Sequence, residues 1–151
     1  MPAAAVRVPT FNLAFLPRFA AMSDQEFVAF AESKPLRKEF MLAMGRKGFP
    51  DSEMKAALDR LRRTYERMDA EIARSGGPWL LGRDITLADI AVMPALVRMA
   101  DLGRADWQDL PRVVTWFDTI RAQPAFAAAY YPGSLLSERF PHLRTALGNR
   151  R

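Results

Sequence analysis

The chain has 151 residues, enough for one domain with a sizeable core, and half of them are apolar. The absence of cysteine excludes disulfides, thiolate nucleophiles and cysteine-ligated metal sites. No stretch reaches the roughly 18 uninterrupted apolar residues that span a bilayer, and Arg7 places a charge where a signal peptide would be apolar.

Helical patterns occupy almost the whole chain. Apolar residues recur at three- and four-residue spacing, helix-forming residues are abundant, and no strand-length run of β-branched residues occurs. We therefore expect an all-α bundle of about six or seven helices, with one weak further turn near residues 135–139. The predicted helices are Arg7–Phe19, 23–32, 33–45, the longest helix from Pro50 to the stop at Gly76-Gly77-Pro78, Leu87–Leu102, Pro111–Ala122 and Pro124–Tyr130.

The best-defined helix start lies at Thr86. The Thr86 hydroxyl can accept a hydrogen bond from the backbone N–H of Asp89, whose carboxylate can return one to the N–H of Thr86. Ile85 and Ile90 flank this capping box at the two positions of a hydrophobic staple. The following residues are apolar almost all round, which predicts a buried central helix that bends at Pro94. Replacing Asp89 with Ala should cost on the order of 1 kcal/mol or more of stability.

The net charge of +5 raises the question of nucleic-acid binding. Arg60, Arg63 and Arg67 share one helical face, but Asp59 and Glu66 are interleaved with them. A surface that follows phosphates would be less mixed and would offer aromatic residues for stacking. We therefore interpret this face as a solvated one, and expect neither a nucleic-acid nor a membrane partner.

The capping box together with the preceding Trp79-Leu80-Leu81-Gly82 resembles a known element. It is similar to the start of the core helix in the C-terminal, all-helical domain of the cytosolic glutathione S-transferases. The resemblance continues at the Leu110–Phe117 segment, which contains Trp116, and at Arg121–Phe126. It covers about residues 50–130 well and residues 5–50 loosely, and the Ser23–Gly48 stretch departs from the family pattern as an insertion or rearrangement would.

This resemblance implies a glutathione transferase C-terminal-like domain over residues 1–131, followed by a partly ordered tail over 132–151. In the family, a preceding thioredoxin-like domain binds glutathione and activates its thiol. The chain has no room for that domain, so glutathione would be a co-substrate of a full-length protein, and this chain alone would hold no cofactor or metal. The resemblance also implies a cytoplasmic homodimer. The chain is then either a fragment or a natural stand-alone domain.

The first helix carries the candidate substrate-binding residues. Phe11 and Phe15 recur at four-residue spacing with Asn12 beside them, and a plain core stripe is the simpler interpretation. The resemblance implies instead that Phe11 and Phe15 line a hydrophobic substrate pocket and that Asn12 supplies a polar contact. Tyr130 or Tyr131 would close that pocket.

No group of residues predicts catalysis or metal binding. His142 is the only histidine, and we expect it in a mobile tail without a partner that would position it. Asp106 and Asp109 flank Trp107 and are better explained as helix-entry residues than as an acid–base pair.

Two functions therefore remain open. The chain is the C-terminal, substrate-binding and dimerising half of a glutathione S-transferase, inactive alone. Alternatively, it is a stand-alone protein-interaction module without transferase activity. A domain separated from its partner should expose an apolar patch on the partner-facing side of its first helix.

Overall fold

The computed structural model describes residues 3–148, and these residues form an all-α structure. The prediction of an all-α bundle is confirmed, although the structure divides it into more and shorter helices than expected. Among the described residues the only β-type pairing is an isolated bridge between Trp79 and Gly82. Within the same residues, no helix combines the length and apolarity needed to cross a bilayer.

The N-terminal part of the chain is one nearly continuous helix followed by a helical hairpin. Segments α1 (Ala3–Thr10) and α2 (Leu16–Ala20) are joined by a π-helical stretch, Phe11–Phe15. The hairpin consists of α3 (Asp24–Glu32), a 3-10 turn at Pro35–Arg37, and α4 (Lys38–Met44). The remaining helices are α5 (Asp51–Ser75), α6 (Leu87–Asp101), α7 (Pro111–Arg121), α8 (Pro124–Ala129), α9 (Leu136–Arg139) and α10 (Pro141–Gly148).

The main core lies where α1, α5, α6 and α7 meet. Helix α5 has a strongly amphipathic sequence and buries Leu61, Tyr65, Met68 and Ile72 along one face. Trp107, in the loop before α7, packs edge-on against Tyr65 with ring centroids 5.0 Å apart. These apolar contacts hold the long helix in place and leave its charged face in solvent.

A second, smaller core belongs to the α3–α4 hairpin. It consists of buried Phe19, Phe27, Ala31, Met41 and Met44. The hairpin begins at a complete capping box, in which the Ser23 N–H donates to Glu26 Oε2 at 2.7 Å and the Glu26 N–H donates to Ser23 Oγ at 3.2 Å. The segment that departs most from the family pattern therefore folds against the end of the first helix.

Asp89 is a completely buried carboxylate, with 0% of the residue exposed. It accepts hydrogen bonds from the Thr86 N–H at 2.9 Å and the Thr86 hydroxyl at 3.0 Å. The Thr86 oxygen in turn accepts from the N–H of Ala88 at 3.2 Å, one residue before the predicted donor Asp89. The other carboxylate oxygen of Asp89 accepts from the Leu80 N–H at 3.0 Å and from Trp116 Nε1 at 2.8 Å. The carboxylate thus joins the turn before α6, the first turn of α6 and the centre of α7.

The expectation that α6 is buried all round is wrong. The N-terminal half of the helix presents Leu87, 85% exposed, and Ile90, 47% exposed, to solvent. No other element of the described chain covers this face, whereas Leu96, Val97 and Met99 in the second half are buried. Ile85 and Ile90 are both close to half exposed, and the staple between them stays a prediction.

The chain beyond residue 131 is more structured than expected. Two helices, α9 and α10, replace the single predicted turn, and Leu136 and Leu143 belong to the main core. Buried Asp101 at the end of α6 accepts from the N–H groups of Leu136 at 2.7 Å and Ser137 at 3.1 Å. The division at residue 131 stays a prediction, and residues 149–151 of the predicted tail lie outside the described residues.

Asp89→Asn tests the role of the buried carboxylate. Burial raises the pKa of Asp89, but the hydrogen bonds from Leu80, Trp116 and Thr86 together bring it below its ordinary value. The substitution keeps the side-chain size and removes the charge, so we expect it to cost about 2 kcal/mol or more of unfolding free energy at pH 7. Denaturant titration followed by circular dichroism measures this loss.

The loss should depend on pH with a defined sign. Because the folded-state pKa is depressed, the stabilisation is complete above about pH 5 and is lost as the pH falls below about 4. Asp84→Asn, at an exposed position of the same turn, is the control and should change stability by no more than about 0.5 kcal/mol. Equal stabilities of Asp89→Asn and the unsubstituted chain at pH 7 would contradict the assignment.

Candidate functional site

The geometry of the first helix follows from its two prolines. Pro9 and Pro17 lack backbone N–H groups, and each leaves the carbonyl four residues earlier without its usual helical donor. Between them the chain widens into the π-helical stretch, where the Leu16 N–H donates to the carbonyl of Phe11, five residues earlier. This widening determines the direction in which the side chains of Phe11 and Phe15 leave the helix. The sequence predicts a helix over Arg7–Phe19 but does not predict its π-helical stretch.

Phe11 and Phe15 line a cavity of about 750 Å³ between the first helix and the α3–α4 hairpin. The two rings contact each other, with centroids 5.2 Å apart, and Phe40 packs edge-on against Phe11 at 4.8 Å. Five phenylalanines line the cavity: Phe11, Phe15, Phe19, Phe30 and Phe40. A concave space of this size with aromatic walls is typical of a small-molecule site.

Two arginines lie over this aromatic surface. The guanidinium of Arg7 lies 4.9 Å from the ring centroid of Phe40, and that of Arg18 lies 5.2 Å from the ring centroid of Phe30. Both distances are within the range of a cation–π interaction. The cavity therefore combines an apolar floor with cationic groups at its edge.

Asn12 does not face this cavity as a free polar group. Its Nδ2 donates to the carbonyl of Phe49 at 2.8 Å, and its Oδ1 accepts from the N–H of Phe49 at 2.8 Å. Both ends of the amide are thus used by one residue of the loop before α5. These hydrogen bonds give Asn12 a structural role that its sequence neighbourhood does not reveal, because the partner lies 37 positions away. The assignment of Asn12 to a substrate contact stays a prediction.

Tyr130 and Tyr131 are not among the residues that line the cavity. The ring of Tyr130 stacks on Phe126 with centroids 4.7 Å apart, and burial raises the pKa of its hydroxyl. Tyr131 is 62% exposed. The structure thus brings Phe11 and Phe15 together with the hairpin, and does not bring the two tyrosines to them.

The C-terminal helices support the first helix from behind. The ring of Phe140 packs edge-on against Phe15, with centroids 5.2 Å apart. His142 Nε2 lies 2.9 Å from the carbonyl of Leu13, the group that Pro17 leaves without a helical donor. The expectation that His142 lacks a partner is therefore wrong, because a contact across 129 positions cannot be read from local sequence.

The titratable groups whose pKa departs clearly from its ordinary value lie away from the cavity walls. Hydrogen bonds from Arg62 hold the pKa of Asp109 below its usual range, and the two groups form a bidentate pair at 2.6 and 2.7 Å. Asp109 is thus tied to α5, and the first turn of α7 is capped instead by Asp69, which accepts from the Arg112 N–H at 2.9 Å. Among the described residues, no group of three His, Cys, Asp or Glu side chains could hold a metal ion.

Comparison with known proteins relates the centre of the chain to a known domain family. Residues 51–119, which run from the first residue of α5 into α7 and include the Asp89 network, match the family model of the glutathione S-transferase C-terminal domain. This part of the chain is therefore similar to a glutathione S-transferase C-terminal domain. No solved structure is significantly similar to the chain.

Two curated relatives are similar to the chain over a longer stretch. Both are 2,5-dichlorohydroquinone reductive dechlorinases, from two strains of Sphingobium indicum, and each is 31% identical over 99 residues. The matched stretch covers 62% of this chain and 29% of each relative. The chain thus spans less than a third of the length of the curated relatives that it matches.

Sequence reasoning missed half of the cavity. Phe30, Phe40, Arg7 and Arg18 were not candidates, because the hairpin lies in the stretch that resembles the transferase family least. A signal was present, since Phe27 and Phe30 recur at three-residue spacing on a capped amphipathic helix. This spacing predicts a buried face on α3, but it does not predict that this face packs against the part of the first helix that carries Phe11.

Gly48→Ala tests the close packing beneath the cavity. A Cβ at Gly48 would lie 2.7 Å from Asn12 Oδ1 and 3.1 Å from Leu16, and the backbone has φ +79°. We expect the variant to lose the Asn12–Phe49 hydrogen bonds and to be destabilised by about 3 kcal/mol in a denaturant titration.

Gly76→Ala is the matched control, because Gly76 has φ +69° but nothing within 4 Å of the added carbon. It should lose only the backbone cost of about 1–2 kcal/mol. Equal losses for the two variants would show that the approach of Gly48 to Asn12 does not constrain the fold.

Proposed function

We propose that this chain supplies the hydrophobic-substrate half of a glutathione-dependent enzyme that acts on aromatic electrophiles. In this proposal, a thioredoxin-like domain binds glutathione and activates its thiol, and the chain described here binds the second substrate. The observation that carries the proposal is the phenylalanine-lined cavity on the first helix of a chain whose central part is similar to a glutathione S-transferase C-terminal domain.

The named activity of the relatives supports an aromatic substrate. The two dechlorinases act, as their name states, on 2,5-dichlorohydroquinone, a chlorinated aromatic ring. A ring of this kind can stack between phenylalanine side chains, and Phe11, Phe15 and Phe40 offer both faces and edges for such contacts. The substrate of this chain would then be a ring compound that carries a leaving group.

In this proposal, the group that activates the glutathione thiol belongs to a domain outside this chain. The sequence contains no cysteine, and the Thr10 hydroxyl at the cavity donates to the carbonyl of Val6 at 2.7 Å. In this proposal the thioredoxin-like domain supplies the group that stabilises the glutathione thiolate, and the basic residues of the cavity contact the second substrate. We therefore expect the isolated chain to be inactive and the complete enzyme to be a cytoplasmic homodimer with glutathione as its co-substrate.

An exposed apolar surface between residues 81 and 90 is the candidate contact with the thioredoxin-like domain. Leu81, Ile85, Leu87 and Ile90 are all at least 45% exposed, and Arg67 and Glu71 of α5 border a depression beside Leu81. An apolar patch with a polar rim is typical of a protein interface. This surface is at the start of α6, and the partner-facing patch expected on the first helix stays a prediction.

Retention on immobilised glutathione tests the division of labour. An antibody against this chain follows the native protein when an extract of its source cells passes over the column. We expect the native protein to be retained, to elute with free glutathione, and to release chloride from 1-chloro-2,4-dinitrobenzene in a glutathione-dependent reaction. The purified 151-residue chain should flow through the same column and give no rate above background.

A substitution in the aromatic wall of the cavity tests whether that wall binds the substrate. In the complete enzyme, Phe11→Ala should raise KM for the aromatic substrate about fivefold or more, since a buried aromatic contact is worth on the order of 1 kcal/mol. Tyr131→Ala, at an exposed position away from the cavity, should leave KM unchanged. A native protein that is neither retained nor active would contradict the proposal and would favour the stand-alone interaction module.

A further inference from the structure

The cavity on the first helix carries an unusual charge distribution. Four of its lining residues are cationic, namely Arg7, Arg18, Lys34 and Arg37, and within the described part of the chain its lining includes no Asp or Glu. Several positive charges around one concave surface attract an anion more strongly than the same charges would if they were separated in water.

These four cations also lack the acidic partners that nine other basic residues of the described chain have. Arg46 pairs with Asp24 at 2.6 Å and Lys38 with Glu32 at 3.2 Å, both close to the cavity along the sequence. By contrast, Arg7, Arg18, Lys34 and Arg37 form no ion pair with any residue between positions 3 and 148. Their charge is therefore available to a ligand.

The aromatic floor contacts three of these cations. Arg7 lies over Phe40 and Arg18 over Phe30, and the ammonium of Lys34 lies 5.7 Å from the Phe30 ring centroid. A guanidinium that stacks on a ring keeps its N–H groups free at the edge, where they can donate two parallel hydrogen bonds to a carboxylate. The side chains are thus partly ordered before a ligand arrives, which lowers the entropic cost of binding.

We propose that this cavity binds aromatic anions, with aromatic carboxylates as the best-fitting class. The ring system would lie against Phe11, Phe15 and Phe40, and the carboxylate would meet Arg7 and Arg18. A volume of about 750 Å³ accommodates a two-ring ligand. An inorganic anion would leave the phenylalanine walls unused, and a neutral arene would leave the four cations without a counter-charge. The proposal names the ligand class of the cavity assigned above, and it rests on the proposed function only for the ligand's role as a substrate.

Isothermal titration of the purified chain with three matched probes tests this class. The probes are 2-naphthoate, its neutral isostere 2-naphthamide, and octanoate as a non-aromatic carboxylate. We expect 2-naphthoate to bind about tenfold or more tightly than either of the others, since one charge-assisted contact is worth a factor of that order. Its affinity should fall as the salt concentration rises from 0.05 to 0.5 M, whereas that of the amide should not.

Two charge-removing variants locate the site. Arg7→Gln and Arg18→Gln should each weaken 2-naphthoate about fivefold or more and leave 2-naphthamide within twofold, which separates loss of charge from loss of the fold. Arg83→Gln, at an exposed position in the turn before α6, is the control and should change neither affinity. Circular dichroism establishes that each variant keeps its helices.

The possible results separate this proposal from the proposed function. Equal affinity for naphthoate and naphthamide, undetectable binding of naphthoate, tighter binding of octanoate, or unchanged affinity in Arg7→Gln and Arg18→Gln would overturn the assignment of aromatic anions. Because the titration contains no glutathione, a selective naphthoate site in a protein that fails the glutathione column would uphold this proposal and refute the transferase function.

Discussion

The completely buried carboxylate of Asp89 organises the centre of the structure. A charge in that position is tolerated only if each oxygen has donors. The donors come from three places: Thr86 at the start of α6, the Leu80 N–H in the preceding turn, and the indole of Trp116 in α7. The turn, the helix start and α7 must therefore assemble together. Because α7 also packs along α5, the network fixes the bundle against which the first helix lies.

The cavity depends on a second constraint, the pair of prolines in the first helix. Pro17 leaves the Leu13 carbonyl without a helical donor, and His142 of α10 contacts that carbonyl. Phe140 supports Phe15 from the same side, while the Asn12–Phe49 hydrogen bonds hold the loop before α5. The wall of the cavity is thus held by elements far apart in the chain. The phenylalanines and the stacked arginines form the inner surface of the cavity.

The parts of the structure that depend on neighbouring residues could be predicted from the sequence. The box at Thr86 and Asp89 and the box at Ser23 and Glu26 both span three residues, and the buried stripe of α5 follows from helical periodicity. The glutathione transferase resemblance was predictable for the same reason, since its motifs are local. Phe11 and Phe15 were predictable as candidates, although not what they face.

The parts that depend on distant residues could not be predicted. Trp116 reaches Asp89 across 27 positions, Leu136 reaches Asp101 across 35, and Asn12 reaches Phe49 across 37. A rule based on residue spacing cannot identify such pairs, so it predicts neither the hydrogen bonds between Asn12 and Phe49 nor the packing of the C-terminal helices.

The measurement that tests the account most directly is the size of the native protein in its source cells, by immunoblot with antibody to this domain. The account predicts a band well above the 17.0 kDa of this chain, or a thioredoxin-like protein that co-purifies with a band of that size. A 17.0 kDa band that purifies without such a partner would contradict it.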